Sequence, residues 1–325
     1  MSLPAAQALW AVGPGRCELR AAPLSPPGAG EVLVQAEVGA VSRGTERLVV
    51  HGRVPPSEHD RMRGPHMDGA FPFPVKYGYV SVGRVLDGAM PQGTRVFCLH
   101  PHQTHYVVPA SDVVALPAAT PPDRAVLAPN LETAINVVWD SRLSIGDRVA
   151  VVGGGVVGLL VAWLAAQTAG TQVVVVDLVD RRDVAASLGV AWSPSAEELG
   201  DDHDVVIEAS GHPQGAHTAL ALAGAEATVV VASWFGDQEV VLPLGQAFHS
   251  RRLTLRSSQV GQLPPSHQRR WTYRRRMALA LRLAAEPALD ALFTHEVPFS
   301  ELAERLPQVT SEGGGPLCVR VRYRT

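Results

Sequence analysis

The chain has 325 residues, 46% of them hydrophobic, a formal net charge of −3 and an isoelectric point near 6.5. That length allows two domains of ordinary size, each with its own core, and the weakly acidic balance excludes nucleic acid or an anionic membrane as the main partner. Cys17, Cys98 and Cys318 are odd in number and far apart, which excludes a disulfide framework and favours a reducing, cytoplasmic compartment.

The N-terminal MSLPAAQALWAVGPG has no basic stretch ahead of an apolar one, so no signal peptide is expected. Up to about residue 120, runs such as GEVLVQAEVGAVS, YVSVGRVLDG and GTRVFCL are separated by Gly and Pro clusters. They predict an irregular antiparallel β domain. Within it SRGTE carries Ser42, Thr45 and the pair Arg43 and Glu46, expected to close a salt-bridged turn.

FPFPVKYGYVSVG (71–83) holds Lys76, the single lysine of a chain with 28 Lys and Arg together. A lysine can lose its proton at a perturbed site where arginine cannot, so Lys76 is a candidate functional residue. On an extended segment it has opposite parity to Tyr79 and points away from it, unless Gly78 or a bulge changes the phase. Next, CLHPHQTH brings Cys98, His100, His102 and His105 within eight residues. Alternate residues of a strand share a face and could converge on a metal; Pro101 interrupts that strand, and one histidine facing a substrate, or plain packing, are the competing readings.

LAPNLETAINVVWD (127–140) has helical spacing. Between Val149 and Val176 no side chain is charged, yet the glycines lie bunched in its first third, so it reads as strand, turn, helix and strand rather than a membrane span. The turn contains G-x-G-x-x-G as Gly153, Gly155 and Gly158, after the strand Arg148 to Val152. A second strand, Gln172 to Val176, ends in Asp177, nineteen residues beyond the third glycine. This is a dinucleotide fingerprint: glycines for the turn and close approach, amides including those of Val156 and Val157 for the phosphates, and an acid for the ribose. A carboxylate at Asp177 repels a 2′-phosphate, so NAD is favoured over NADP, although Arg181 and Arg182 follow closely.

Further on, DVVIEASG, PQGAHTALALAG, ATVVVASW and LTLRSSQVG alternate strand and helix. They predict a parallel doubly wound sheet with ligands at the strand carboxyl ends, where Gly211, Ser233 and Ser258 would line the cofactor site. HQRRWTYRRRMALALRLAAEP packs five arginines into eight residues ahead of an apolar helix, a solvated helix face or an attractor of acidic substrates. HEVPF, SELAERLPQV and LCVRVRY then predict strand, helix, strand.

The order PPGAGEVLVQAEVGAVSRGTE, PVKYGYVSVGRV, GTRVFCL, GDRVAVVGGGVVGLL, IEASG resembles the medium-chain dehydrogenase/reductase superfamily over nearly the whole chain. The resemblance implies an α/β protein: a GroES-like catalytic domain (1–125), a Rossmann NAD(P)-binding domain (126–290), and a C-terminal return to the catalytic domain (291–325). It also implies a small-molecule substrate and a homodimer or homotetramer, and puts Asn130, Glu132 and Thr133 beside the nicotinamide. Zinc-binding members carry a cysteine, a histidine and a glutamate where this chain has Ser42, Tyr79 and Val80, and four cysteines of a structural zinc lobe that this chain lacks. Hydroxyls are poor ligands for Zn²⁺, so no zinc is expected.

Without zinc, something must donate to the substrate oxygen as hydride moves. Tyr79 is the first candidate, with Ser42 and Thr45 completing the contacts and Lys76 as a further catalytic candidate. SRGTE and FPFPVKYGY look most like the bacteriochlorophyllide a dehydrogenase group, which oxidises a hydroxyethyl side chain on a chlorin. The main expectation is a zinc-independent, NAD(H)-preferring alcohol or ketone oxidoreductase. An NADPH-dependent enoyl or quinone reductase, and a redox-inactive nucleotide-binding sensor, are the alternatives.

Overall fold

The computed structural model describes residues 3–311 and 315–323. The chain divides into two compact units, one formed by the residues up to Pro129 with Met277–Glu286 and the segment from Phe293 on, the other by Asn130–Arg276 with Pro287–Leu292.

In chain order the first unit begins with the hairpin β1 (Gln7–Gly13) and β2 (Arg16–Ala21), then β3 (Glu31–Val41) and the short helix α1 (Arg43–Val50). The small strands β4 (Asp68–Gly69) and β5 (Val75–Lys76) extend the hairpin's sheet. They are followed by β6 (Ser81–Gly88), β7 (Arg95–Cys98), β8 (His105–Pro109) and β9 (Val113–Ala115). The longest strand, β3, is the hub: it pairs antiparallel with β6 and β8. Its side chains Val32, Val34 and Ala36 pack with Val85, Val96 and Tyr106 in one core cluster.

Helices α2 (Pro122–Ala125) and α3 (Ala128–Ser141) lead to the second unit's strands and helices. These are β10 (Arg148–Val152), α4 (Val156–Ala166), β11 (Gln172–Val176), α5 (Arg182–Ser187), β12 (Ala191–Ser193), β13 (His203–Glu208), α6 (Pro213–Leu222), β14 (Ala223–Val231) and β15 (Thr254–Ser257). The six strands form one parallel sheet in the order β12-β11-β10-β13-β14-β15. Because helices cover both faces of such a sheet, its central strands read as unbroken apolar runs such as Val149–Val152. Burying each valine there contributes about 1.5–3 kcal/mol. The order reverses at β10, and the carboxyl ends Val152, Val176, Glu208 and Val231 stand level in the register, as at the switch point of a dinucleotide fold.

Helix α7 (Tyr273–Leu283) follows, and the chain ends in β16 (Phe293–Pro298), α8 (Leu302–Val309) and β17 (Cys318–Arg322). Strand β17 pairs antiparallel with β3, which returns the end of the chain to the first unit's seven-stranded sheet.

Candidate functional site

In the second unit the glycine turn is shaped by contacts that no side chain could share. Gly153 has φ +112°, and a Cβ there would lie 2.6 Å from the Ala209 carbonyl carbon; one on Gly158 would lie 1.9 Å from the Gly153 oxygen. Gly155 differs, because a Cβ there would meet nothing within 4 Å. It caps α4 without a side-chain acceptor, and the first helical bond runs from Leu159 N–H to the Gly155 carbonyl. The amides of Val156, Val157 and Gly158 therefore lack an intrahelical acceptor and face an open cradle suited to a pyrophosphate.

Asp177 is half-buried beside this turn. One carboxylate oxygen accepts from Gly154 N–H at 2.5 Å and the other from Val179 N–H at 2.9 Å, so each oxygen keeps a lone pair for a ribose hydroxyl. Arg182 is exposed and bends to Asp180, its Nε 3.3 Å from Oδ1, rather than toward Asp177 as a cofactor contact. Gly211 N–H donates to Ser233 Oγ at 2.8 Å, which joins two predicted residues at the ends of β13 and β14. The hydroxyl of Ser258 donates to Asp140 Oδ2 at 2.8 Å.

That bond belongs to a buried polar network that sequence reasoning missed. Arg276, 2% exposed, donates to Glu132 Oε1 at 3.1 Å, Asn136 Oδ1 at 2.6 Å and the Val260 carbonyl at 2.6 Å. The arginine run is thus not wholly a solvated face, and Glu132 is engaged by Arg276. Burial pushes the Glu132 carboxyl up while Arg276 pulls it down. Two further residues went unread: Glu208, fully buried, whose Oε1 accepts from Ser210 N–H at 2.8 Å, and Trp192, whose ring would meet a Cβ on Gly154 at 2.9 Å. A charge ending the apolar run DVVIE was the available signal for Glu208.

In the first unit Ser42 caps α1, and the segment 77–80 runs from β5 into β6. The structure brings three sequence candidates together: the Ser42 and Thr45 side chains lie close enough to the half-buried phenol of Tyr79 to lower its pKa. Burial pushes that phenol up to about 12, the two hydroxyls pull it down, and the Glu46 carboxylate raises it further. Lys76 is directed elsewhere, its Nζ 3.2 Å from Gln103 Oε1 and 3.8 Å from Asp68 Oδ2, in keeping with its opposite parity along the strand. Burial lowers its ammonium pKa and Asp68 partly restores it.

Arg43 and Glu46 part company instead of closing a turn. Arg43 donates to the carbonyls of Val309, Pro316 and Ser311, whereas Glu46, 2% exposed, takes His102 Nε2 at 2.9 Å. The other members of CLHPHQTH also find separate partners. His100 stacks on Tyr106 with ring centres 3.8 Å apart, and burial holds it well below the usual histidine range. Cys98 is buried and pushed up to about 12, and His105 Nδ1 lies 3.3 Å from Thr104 Oγ1. Among the described residues no three His, Cys, Asp or Glu side chains are grouped to hold a metal ion. Of the Ser42, Tyr79 and Val80 positions, the first offers a hydroxyl, the second a phenol that stays protonated and the third no donor, a set that does not fit Zn²⁺.

A glycine cradle on a parallel sheet, joined in one chain to an antiparallel β unit, is the arrangement of the alcohol dehydrogenase-like fold. Residues 156–282 match the zinc-binding dehydrogenase family. The matched residues include α4, Asp177 and Arg276, while Glu132, Asn136 and Asp140 lie before them. The chain is 30% identical over 128 residues to L-threonine 3-dehydrogenase of Bacillus licheniformis, covering 36% of this chain and 37% of that protein. It is 28% identical over 207 residues to sorbitol dehydrogenase of Bombyx mori, covering 59% and 56%. The chain therefore spans only about a third to a half of these curated relatives' lengths. The fold extends further: a Sinorhizobium meliloti protein described as a zinc-binding dehydrogenase and bound to NADP superposes with a TM-score of 0.78 at 20% identity, covering 98% of this chain and 100% of that one. No helix among the described residues is long and apolar enough to cross a membrane.

Proposed function

We propose that the chain is a zinc-independent oxidoreductase that prefers NAD(H) and moves hydride between nicotinamide and an alcohol or ketone. The observation that supports this reading is the grouping of Tyr79 with Ser42 and Thr45, Tyr79 and Ser42 standing at positions where zinc-binding members of the superfamily have metal ligands. When bound, the dinucleotide supplies or accepts the hydride. Tyr79 donates its O–H to the substrate oxygen as negative charge grows there; held near 12, it stays protonated at neutral pH. Ser42 and Thr45 hold the phenol oxygen in place. Val156, Val157 and Gly158 offer their amides to the phosphates, and Asp177 accepts from the ribose hydroxyls while repelling a 2′-phosphate.

The relatives named for threonine and sorbitol support an alcohol as substrate. The finer resemblance puts a hydroxyethyl group on a chlorin first in a substrate screen. The few, scattered cysteines support a cytoplasmic location, and the resemblance to the medium-chain superfamily supports a homodimer.

The test is a fluorescence titration with NADH and NADPH that follows energy transfer from tryptophan to the reduced nicotinamide. NADH binding at least about tenfold tighter than NADPH is expected from a carboxylate facing the 2′ position. Equal affinities would remove the role given to Asp177, and no binding of either would end the oxidoreductase reading.

A further inference from the structure

Glu46 and His102 lie apart from the proposed donor groups but share their surroundings. Both are buried, at 2% and 0% exposure, and an unpaired carboxylate at that depth would be strongly disfavoured. Each oxygen of Glu46 has a partner: Oε1 accepts from Ser42 N–H at 2.8 Å and Oε2 from His102 Nε2–H at 2.9 Å. With Nε2 donating, the neutral ring presents Nδ1 as an acceptor, and Tyr323 Oη lies 3.3 Å from it. Donation thus converges on the Glu46 carboxylate, from Tyr323 through His102 on one side and from Ser42 N–H on the other.

His102 also fixes the other side of the cluster. Its backbone N–H meets the Tyr77 carbonyl at 3.4 Å, and its ring lies against Gly78, where a Cβ would come within 2.9 Å of Cδ2. Gly78 takes φ +123°, a conformation that only glycine adopts without strain, and Tyr79 is the next residue. The start of α1 and the segment 77–80 come from stretches more than thirty residues apart in sequence. The imidazole touches both.

We propose that Glu46 and His102 are positioning residues whose buried carboxylate–imidazole bond clamps the start of α1 to the segment 77–80 and so holds Ser42, Thr45 and Tyr79 as one donor cluster. This rests on the reading of those three residues as the donors in carbonyl reduction.

The experiment compares the full-length protein with Glu46→Gln and His102→Gln by two readouts. Glu46→Gln is nearly isosteric and keeps an acceptor for Ser42 N–H, so it preserves the fold. Hydrogen exchange is expected to speed up about tenfold in peptides covering 42–50 and 76–81, as for loss of a charge-assisted bond, with the peptide covering 148–176 unchanged as internal reference. For NADH-dependent reduction of 2,3-butanedione, kcat is expected to fall about tenfold while KM for NADH stays the same. The double variant should be no worse than either single one. Unchanged exchange in 76–81 overturns the clamp, as does faster exchange with full kcat. If the wild-type protein reduces no carbonyl yet exchange rises as expected, the clamp stands and the carbonyl reading falls.

Discussion

Two glycines mark the difference between the two halves of this molecule. Gly153 and Gly78 both follow a strand and both take positive φ, +112° and +123°, yet what crowds them is unlike. Gly153 faces main chain alone, the carbonyl of Ala209 and the amide of Ser210, whereas Gly78 faces the imidazole of His102 first and that residue's backbone nitrogen second. The dinucleotide cradle is made of backbone, so its requirements recur at fixed spacing. The donor cluster is made of side chains from separated segments, and its geometry depends on a buried polar bond.

The comparison is sharpened first by Arg276, which shows that the second unit also contains a part built from side chains. Arg276→Met would leave Glu132 buried without its cation, and a loss of about 3–5 kcal/mol in urea unfolding at neutral pH is expected. The sign with pH follows from burial, which raises the Glu132 pKa. With Arg276 gone that pKa rises further, so the stability missing at pH 7 returns as pH falls and the carboxyl takes up a proton. A deficit that does not shrink on acidification would mean that Glu132 is not the group left exposed to the penalty.

A smaller effect separates the two glycines. Gly153→Ala drives a methyl group into main chain that cannot move aside, for a loss of roughly 3 kcal/mol together with NADH binding. In Gly78→Ala the methyl group meets the His102 ring at 2.9 Å and its backbone nitrogen at 3.1 Å, looser contacts than the 2.6 Å at Gly153, so the stability loss is nearer about 1–2 kcal/mol and NADH binding is retained. Equal losses in thermal unfolding would erase the distinction between a backbone-built and a side-chain-built turn.

Much of the second unit was legible because its signals are local. The strands Arg148–Val152 and Gln172–Val176 were readable to the residue, since apolar runs bounded by glycine leave few alternatives. The partners of Ser258 and Arg182 were not, because a polar side chain near a strand end can bond a protein partner as readily as a ligand, and these two take Asp140 and Asp180. In the first unit Tyr79, Ser42 and Thr45 could be nominated from resemblance. The helix α1 that presents two of them was not foreseen, since SRGTERLVV lies in a β-rich stretch. Glu46 could not be paired with His102, 56 residues away, because no local pattern encodes which buried acid meets which imidazole.

The central claim is hydride transfer supported by a protonated phenol in place of a metal. It is tested most directly by NADH-dependent carbonyl reduction measured before and after exhaustive chelation, with Tyr79→Phe alongside. The account predicts undiminished turnover in the metal-depleted protein and a loss of about a hundredfold in Tyr79→Phe, with NADH affinity unchanged. Turnover that disappears on chelation and returns with Zn²⁺, or that survives in Tyr79→Phe, would contradict it.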